Sequence, residues 1–77
     1  MRDAKVLFGK KVKLLRKRLG WSQEKLALES DIDRTYIGGV ERGERNIALL
    51  NICKLAKALR VHPGELLTFD TYDQGKR

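Results

Sequence analysis

Ser22-Gln23-Glu24-Lys25-Leu26-Ala27-Leu28-Glu29-Ser30-Asp31-Ile32-Asp33-Arg34-Thr35-Tyr36-Ile37 reads as two short helices joined by a tight turn. Ser22 suits the first cap, because its hydroxyl can accept hydrogen bonds from the unpaired amides of a first helical turn. Trp21 before the cap and Leu26 four residues after it form a hydrophobic staple. Glu24 falls in the first turn, where the helix dipole favours an acid. Leu26, Ala27 and Ser30 face inward, and the helix closes near Ser30. Asp33 then caps the next helix, with Ile32 and Ile37 repeating the staple. Ile37 and Val40 face inward, and Gly43 ends this helix. Only Ser30 to Ile32 separate the two, so the helices must cross steeply. The small Ala27 suits the crossing point.

Phe8, Val12, Leu15 and Leu19 recur at helical spacing and mark a helix from about Lys5 to Arg18. Gly20 ends it. Another helix is expected from about Leu49 to Leu59. Its apolar residues Leu49, Ile52, Cys53, Leu55, Ala56 and Leu59 exceed what one face needs. Pro63 suits the first position of a short fifth helix that includes Leu66 and Leu67. No proline precedes Pro63, and no run of β-branched residues occurs. The expectation is an all-α, five-helix domain over residues 1–69 with a polar tail over 70–77, and a helix-turn-helix at its second and third helices.

With 77 residues there is room for one domain and a thin core. A single cysteine, Cys53, excludes an internal disulfide, and one Cys with one His makes no metal-ligand cluster. Cys53 is expected in the core and His62 as a helix cap. Ser22 and Ser30 are used at helix boundaries, so no nucleophile–base–acid set can be assembled and no enzyme is expected. No cofactor and no small-molecule pocket is implied. The N-terminal apolar run stops at Phe8, too short for a signal-peptide core, and no stretch is apolar enough for a membrane span. The expected location is the cytoplasm. Residues 1–18 hold eight bases and one acid, whereas residues 19–77 hold nine of each. A basic block of this kind suits a polyanion, or forms a solvated helix face.

The chain resembles the five-helix DNA-binding domains of the Cro and lambda-repressor type. The markers are Ser22-Gln23-Glu24-Lys25-Leu26-Ala27, Arg34-Thr35-Tyr36-Ile37, Glu41-Arg42-Gly43 and Leu55-Ala56-Lys57-Ala58-Leu59, and they span residues 5–69. Asp33 to Ile37 and Glu41-Arg42-Gly43-Glu44-Arg45-Asn46-Ile47 look like the controller proteins of restriction–modification systems, small dimeric transcription regulators. The resemblance implies that the third helix enters the major groove of double-stranded DNA by its N-terminal end. Geometry agrees, since that groove admits one helix.

On this pattern Arg34, Thr35 and Gly39 occupy base-reading positions. Arg34 can bond guanine O6 and N7 together. Gln23 would bond the DNA backbone, with Ser22 more a cap than a contact. Tyr36, Lys17, Arg42, Arg45 and Asn46 complete the phosphate set; the alternative for Tyr36 is packing over the helix junction, and for Arg42, Arg45 and Asn46 a solvated surface role. Arg16 and Glu41 match a family pair that ties the first helix to the third. A homodimer on a palindromic operator is expected, with Leu49, Ile52, Leu66, Leu67 and Phe69 as the interface. The alternative for those five is closure of the protomer's own core.

Four positions depart from the pattern. Gly38 and Gly39 stand inside the recognition helix, where two glycines cost about 2 kcal/mol relative to alanine. They signify either close approach of the backbone to DNA, with readout left to Arg34, Thr35 and DNA shape, or drift at tolerant positions. Asp31 replaces the usual turn glycine. Ala48 replaces a serine cap, so the fourth helix should start weakly. Two rival functions stand beside a transcription regulator. One is an antitoxin-like or adaptor-like protein-interaction module, and the other is a non-specific nucleic-acid coat.

Overall fold

The computed structural model describes residues 3–69. Five helices follow one another: α1 Ala4–Arg18, α2 Gln23–Ser30, α3 Arg34–Glu41, α4 Leu49–Leu59 and α5 Pro63–Leu66. The boundaries lie where the capping residues put them. The Ser22 hydroxyl accepts from the Lys25 amide at 3.0 Å. The Asp33 carboxylate accepts from the Thr35 amide at 2.9 Å and the Tyr36 amide at 3.4 Å. Asp31 ends α2 in the left-handed conformation, φ 59°, so aspartate takes the strained position that a glycine would occupy freely. Arg60 does the same at the end of α4, φ 64°. Ala48 precedes α4 without a side-chain cap, as its methyl group requires.

The core is one cluster drawn from all five helices. Phe8, Val12 and Leu15 of α1 meet Leu26 of α2, Ile37 and Val40 of α3, Leu55, Ala56 and Leu59 of α4, and Leu66 of α5. Ile32 of the turn joins them. Trp21 and Leu19 pack against its edge.

Three expectations need correction. Leu66 is wholly buried in this cluster, so it closes the protomer core and offers nothing to a second copy. Cys53 is exposed. The buried stripe of α4 runs through Leu55, Ala56 and Leu59, and a 100° step per residue puts position 53 off its edge. His62 does stand at the N-cap position of α5, but its ring makes no capping hydrogen bond. Residues 70–77, read above as a polar tail, lie outside the described residues.

One glycine sets the approach of α1 to α3. Gly9 is buried, and a Cβ there would overlap the carbonyl oxygen of Val40 and stand 2.9 Å from that of Glu41. Neither oxygen belongs to a movable side chain. Gly9→Ala is therefore expected to destabilise the domain by about 1–3 kcal/mol, although alanine favours a helix. Urea denaturation would check the sign, and a stabilised variant would contradict the packing.

Candidate nucleic-acid interface

The surface that α3 presents depends on a buried ion pair beneath it. The Arg16 guanidinium donates to Glu41 through Nε at 2.7 Å and Nη2 at 2.9 Å, a two-pronged pairing. Its Nη1 donates to the carbonyl of Trp21 at 2.7 Å. Both side chains of the pair are almost wholly buried, 8% and 3% exposed. Gln23 adds a third bond to the carboxylate, from Nε2 to Oε1 at 3.0 Å. Arg16 and Glu41 thus tie α1 to α3, as the resemblance implied. The sequence reading did not place Gln23 in this network. Its amide is engaged here, leaving one N–H and the carbonyl oxygen for another partner.

Burial works to raise the Glu41 carboxyl. The hydrogen bonds from Arg16 and Gln23, with the Arg16 charge, outweigh it and hold the group below its ordinary value. The bond to Glu41 raises Arg16 in turn, against the cost of its own burial.

Above this pair, α3 begins with Arg34 and Thr35, both exposed. Arg34 borders a shallow depression lined by Glu24, Leu28, Asp31 and Asp33. Tyr36 is half-buried against the core, and the Arg45 guanidinium lies over its ring, 4.9 Å from the centre. The packing weighed as the alternative for Tyr36 is therefore present, with the ring also stacked under Arg45. Lys17 and Asn46 are exposed. Arg42 is exposed and bonds Glu44 through Nε at 3.1 Å. Gly38 and Gly39 are buried. The Arg45 side chain covers Gly39, so the Gly39 backbone does not lie open at the surface. Ser22 is engaged as a cap.

Two capped helices, α2 and α3, packed together across a three-residue turn with an exposed α3 tip, define a helix-turn-helix domain. The comparisons agree. The helix-turn-helix family pattern matches residues 12–66. The control protein C.BamHI of Bacillus amyloliquefaciens is 53% identical over 70 residues, covering 90% of this chain and 86% of that protein. The crystal structure of the restriction–modification controller protein C.AhdI from Aeromonas hydrophila superposes with a TM-score of 0.79 at 55% identity, over 80% of this chain and 94% of that one. A structure of the controller protein C.Esp1396I, a tetramer in complex with its natural 35 base-pair operator, superposes with a TM-score of 0.75 at 30% identity. It covers 88% of this chain and all of that one. The chain belongs to the helix-turn-helix family and, within it, to the restriction–modification controller proteins. It is a DNA-binding transcription regulator.

The ion pair sets a pH dependence. Because the folded pKa of Glu41 is depressed, its contribution is complete above the unfolded value of about 4.3 and is lost as pH falls through the lower folded value. Glu41→Ala leaves Arg16 buried without its partner and is expected to cost about 3–5 kcal/mol at pH 7. Glu41→Gln should flatten the acid limb of stability below about pH 4.3. Denaturation midpoints measured from pH 7 to pH 3 would show both. An unchanged acid limb in Glu41→Gln would refute the assignment.

Proposed function

We propose that this chain acts as a homodimer that controls transcription by binding a palindromic operator, with Arg34 and Thr35 reading base edges. One observation carries this reading: α3 presents these two exposed side chains at its tip while its base is pinned by Arg16 and Glu41. The Asp33 carboxylate already bonds two of the free amides at that tip. Recognition therefore falls to the side chains, of which the Arg34 guanidinium matches guanine best. The backbone set is Gln23, Ser22, Tyr36, Lys17, Arg42, Arg45 and Asn46. Asn46 and Arg45 lie in the loop after α3, so they would grip the phosphates flanking the bases that Arg34 meets. In C.Esp1396I the operator-bound form is a tetramer. By analogy, two dimers of this chain would share one operator region.

One recognition helix reads only a few base pairs, and a second copy supplies the matching half-site. The dimer face is drawn from Leu49 and Leu67, exposed by 71% and 49%, with Ile52 and Phe69 half-buried behind them. Leu50, exposed by 74%, is a member the sequence reading did not name. The domain of residues 1–69 carries DNA binding and dimerisation together. Membership of a family of DNA-binding transcription regulators supports a binding protein and not an enzyme, working in the cytoplasm where its operator lies.

Selection of sites from random duplex DNA tests the reading, with two half-sites about 34 Å apart expected. Arg34→Ala should lose about 1–3 kcal/mol of discrimination at one base pair per half-site. Lys17→Ala should weaken all sequences alike and lower the salt slope by about 1. Equal loss on every sequence in Arg34→Ala would favour a non-specific coat. Leu49→Glu with Leu50→Glu should shift the protein to monomer in sedimentation equilibrium. A persistent dimer would move the interface elsewhere.

A further inference from the structure

The two glycines inside α3 are buried, and it is the protein's own arginines that bury them. A Cβ on Gly39 would stand 3.1 Å from Cγ of Arg45 and 3.2 Å from its Nε. A Cβ on Gly38 would stand 3.2 Å from Nη1 of Arg42 and 3.6 Å from Oε1 of Gln23. Tyr36 and Gly39 are three residues apart, hence neighbours on one helix face. The Arg45 side chain leaves the loop after α3 and crosses the gap at Gly39. It ends with its guanidinium on the Tyr36 ring, at 4.9 Å.

We propose that Gly39 is a positioning residue for DNA binding: its missing side chain is the seat that holds Arg45 extended over Tyr36, with its charge fixed beside the recognition helix. The proposal rests on the reading that Arg45 grips the DNA backbone. It gives the glycine a task other than close approach to DNA or drift. A free arginine loses rotamer freedom when it binds a phosphate. A seated arginine has lost much of that freedom already, and its planar group is held in place by the aromatic face. Gly39 therefore acts through Arg45, with no contact of its own to the nucleic acid.

The alanine variant is a clean probe. The atoms that a new methyl would crowd belong to a flexible side chain, so the arginine yields and the helix does not. Alanine also favours the helix, so Gly39→Ala folds. The test compares Gly39→Ala, Arg45→Ala and the double variant. Each is titrated with a duplex selected from a random pool by the wild-type protein, and with an unrelated duplex of equal length. Gly39→Ala is expected to weaken both duplexes alike, by roughly 2- to 10-fold, with no further loss in the Arg45→Ala background. In the free protein, the Arg45 side-chain proton resonances should be shifted upfield by the Tyr36 ring and should return toward ordinary values in Gly39→Ala.

If Arg45→Ala weakens binding and Gly39→Ala does not, the seat is overturned. If the Gly39→Ala loss persists undiminished in the Arg45→Ala background, the glycine meets the DNA itself and the proposal is wrong. If Arg45→Ala leaves binding unchanged, Arg45 is no DNA contact and the inference falls with that reading. The resonance shift, which involves no DNA, separates this last case from failure of the seat.

Discussion

The Arg16–Glu41 pair is the constraint on which the arrangement of this domain depends. Arg16 is fixed by three short hydrogen bonds, two to Glu41 and one to the Trp21 carbonyl. Those partners come from α3 and from the loop before α2. One guanidinium therefore joins α1 to the loop before α2 and to the end of α3. A lysine could not do this, since a point charge has no planar fork to hold the carboxylate and the carbonyl together. Burial alone would make such charges costly. Here both carboxylate oxygens are bonded, and Gln23 completes the shell of Oε1. The pair gives orientation more than net stability. A recognition helix must be aimed, and apolar packing by itself tolerates sliding.

The turn between α2 and α3 depends on that orientation. Asp31 is held at φ 59°, an unfavourable state for a residue with a Cβ. Its amide still donates back to the Ala27 carbonyl, so the end of α2 is closed in the ordinary left-handed manner. Ile32 then drops into the core and Asp33 starts the next helix. In three residues the chain reverses enough for α3 to leave its first turn in solvent. Asp33 brings a second consequence. Its carboxylate occupies amides that would otherwise attract an anion, so the α3 N-terminus offers a phosphate less than an uncapped helix would.

Most of this was legible in the sequence because capping is local. Ser22, Asp33, Gly20 and Pro63 each mark a boundary within their own few residues, and the helices begin and end there. What escaped depends on neighbours distant along the chain. Gly9 looks like an ordinary weakness in α1 until the carbonyls of Val40 and Glu41 are placed against it. Gln23 reads as a free surface amide until Glu41 arrives beside it and takes one of its N–H groups. Leu66 and Leu67 are alike as letters, but only Leu66 points into the core. Cys53 belongs to the apolar excess of α4, and periodicity alone could not say which edge of a wide apolar stripe faces outward. In the interface, Arg34, Thr35, Lys17 and Asn46 were legible as exposed positions. The burial of Gly38 and Gly39 beneath Arg42 and Arg45 was not, because loop side chains fold back in ways that spacing does not encode.

The basic block at the N-terminus has two uses in the folded protein. Eight bases crowd into residues 1–18. Arg16 is neutralised in the interior, and Lys11 bonds Glu65 at 3.0 Å, tying α1 to α5. The basic block is thus partly structural. The charges that remain exposed on α1, among them Lys13 and Lys17, add a field that attracts DNA without regard to sequence. In the proposed reading sequence discrimination comes from the few side chains at the α3 tip, and their accuracy is only as good as their support. That returns the burden to buried contacts. The fork of Arg16 fixes the helix, the cap of Asp33 fixes its first turn, and the stacked Tyr36 and Arg45 fix its flank. A small domain with a thin core can aim a helix only by using polar bonds of this geometry where a larger protein would use packed apolar mass.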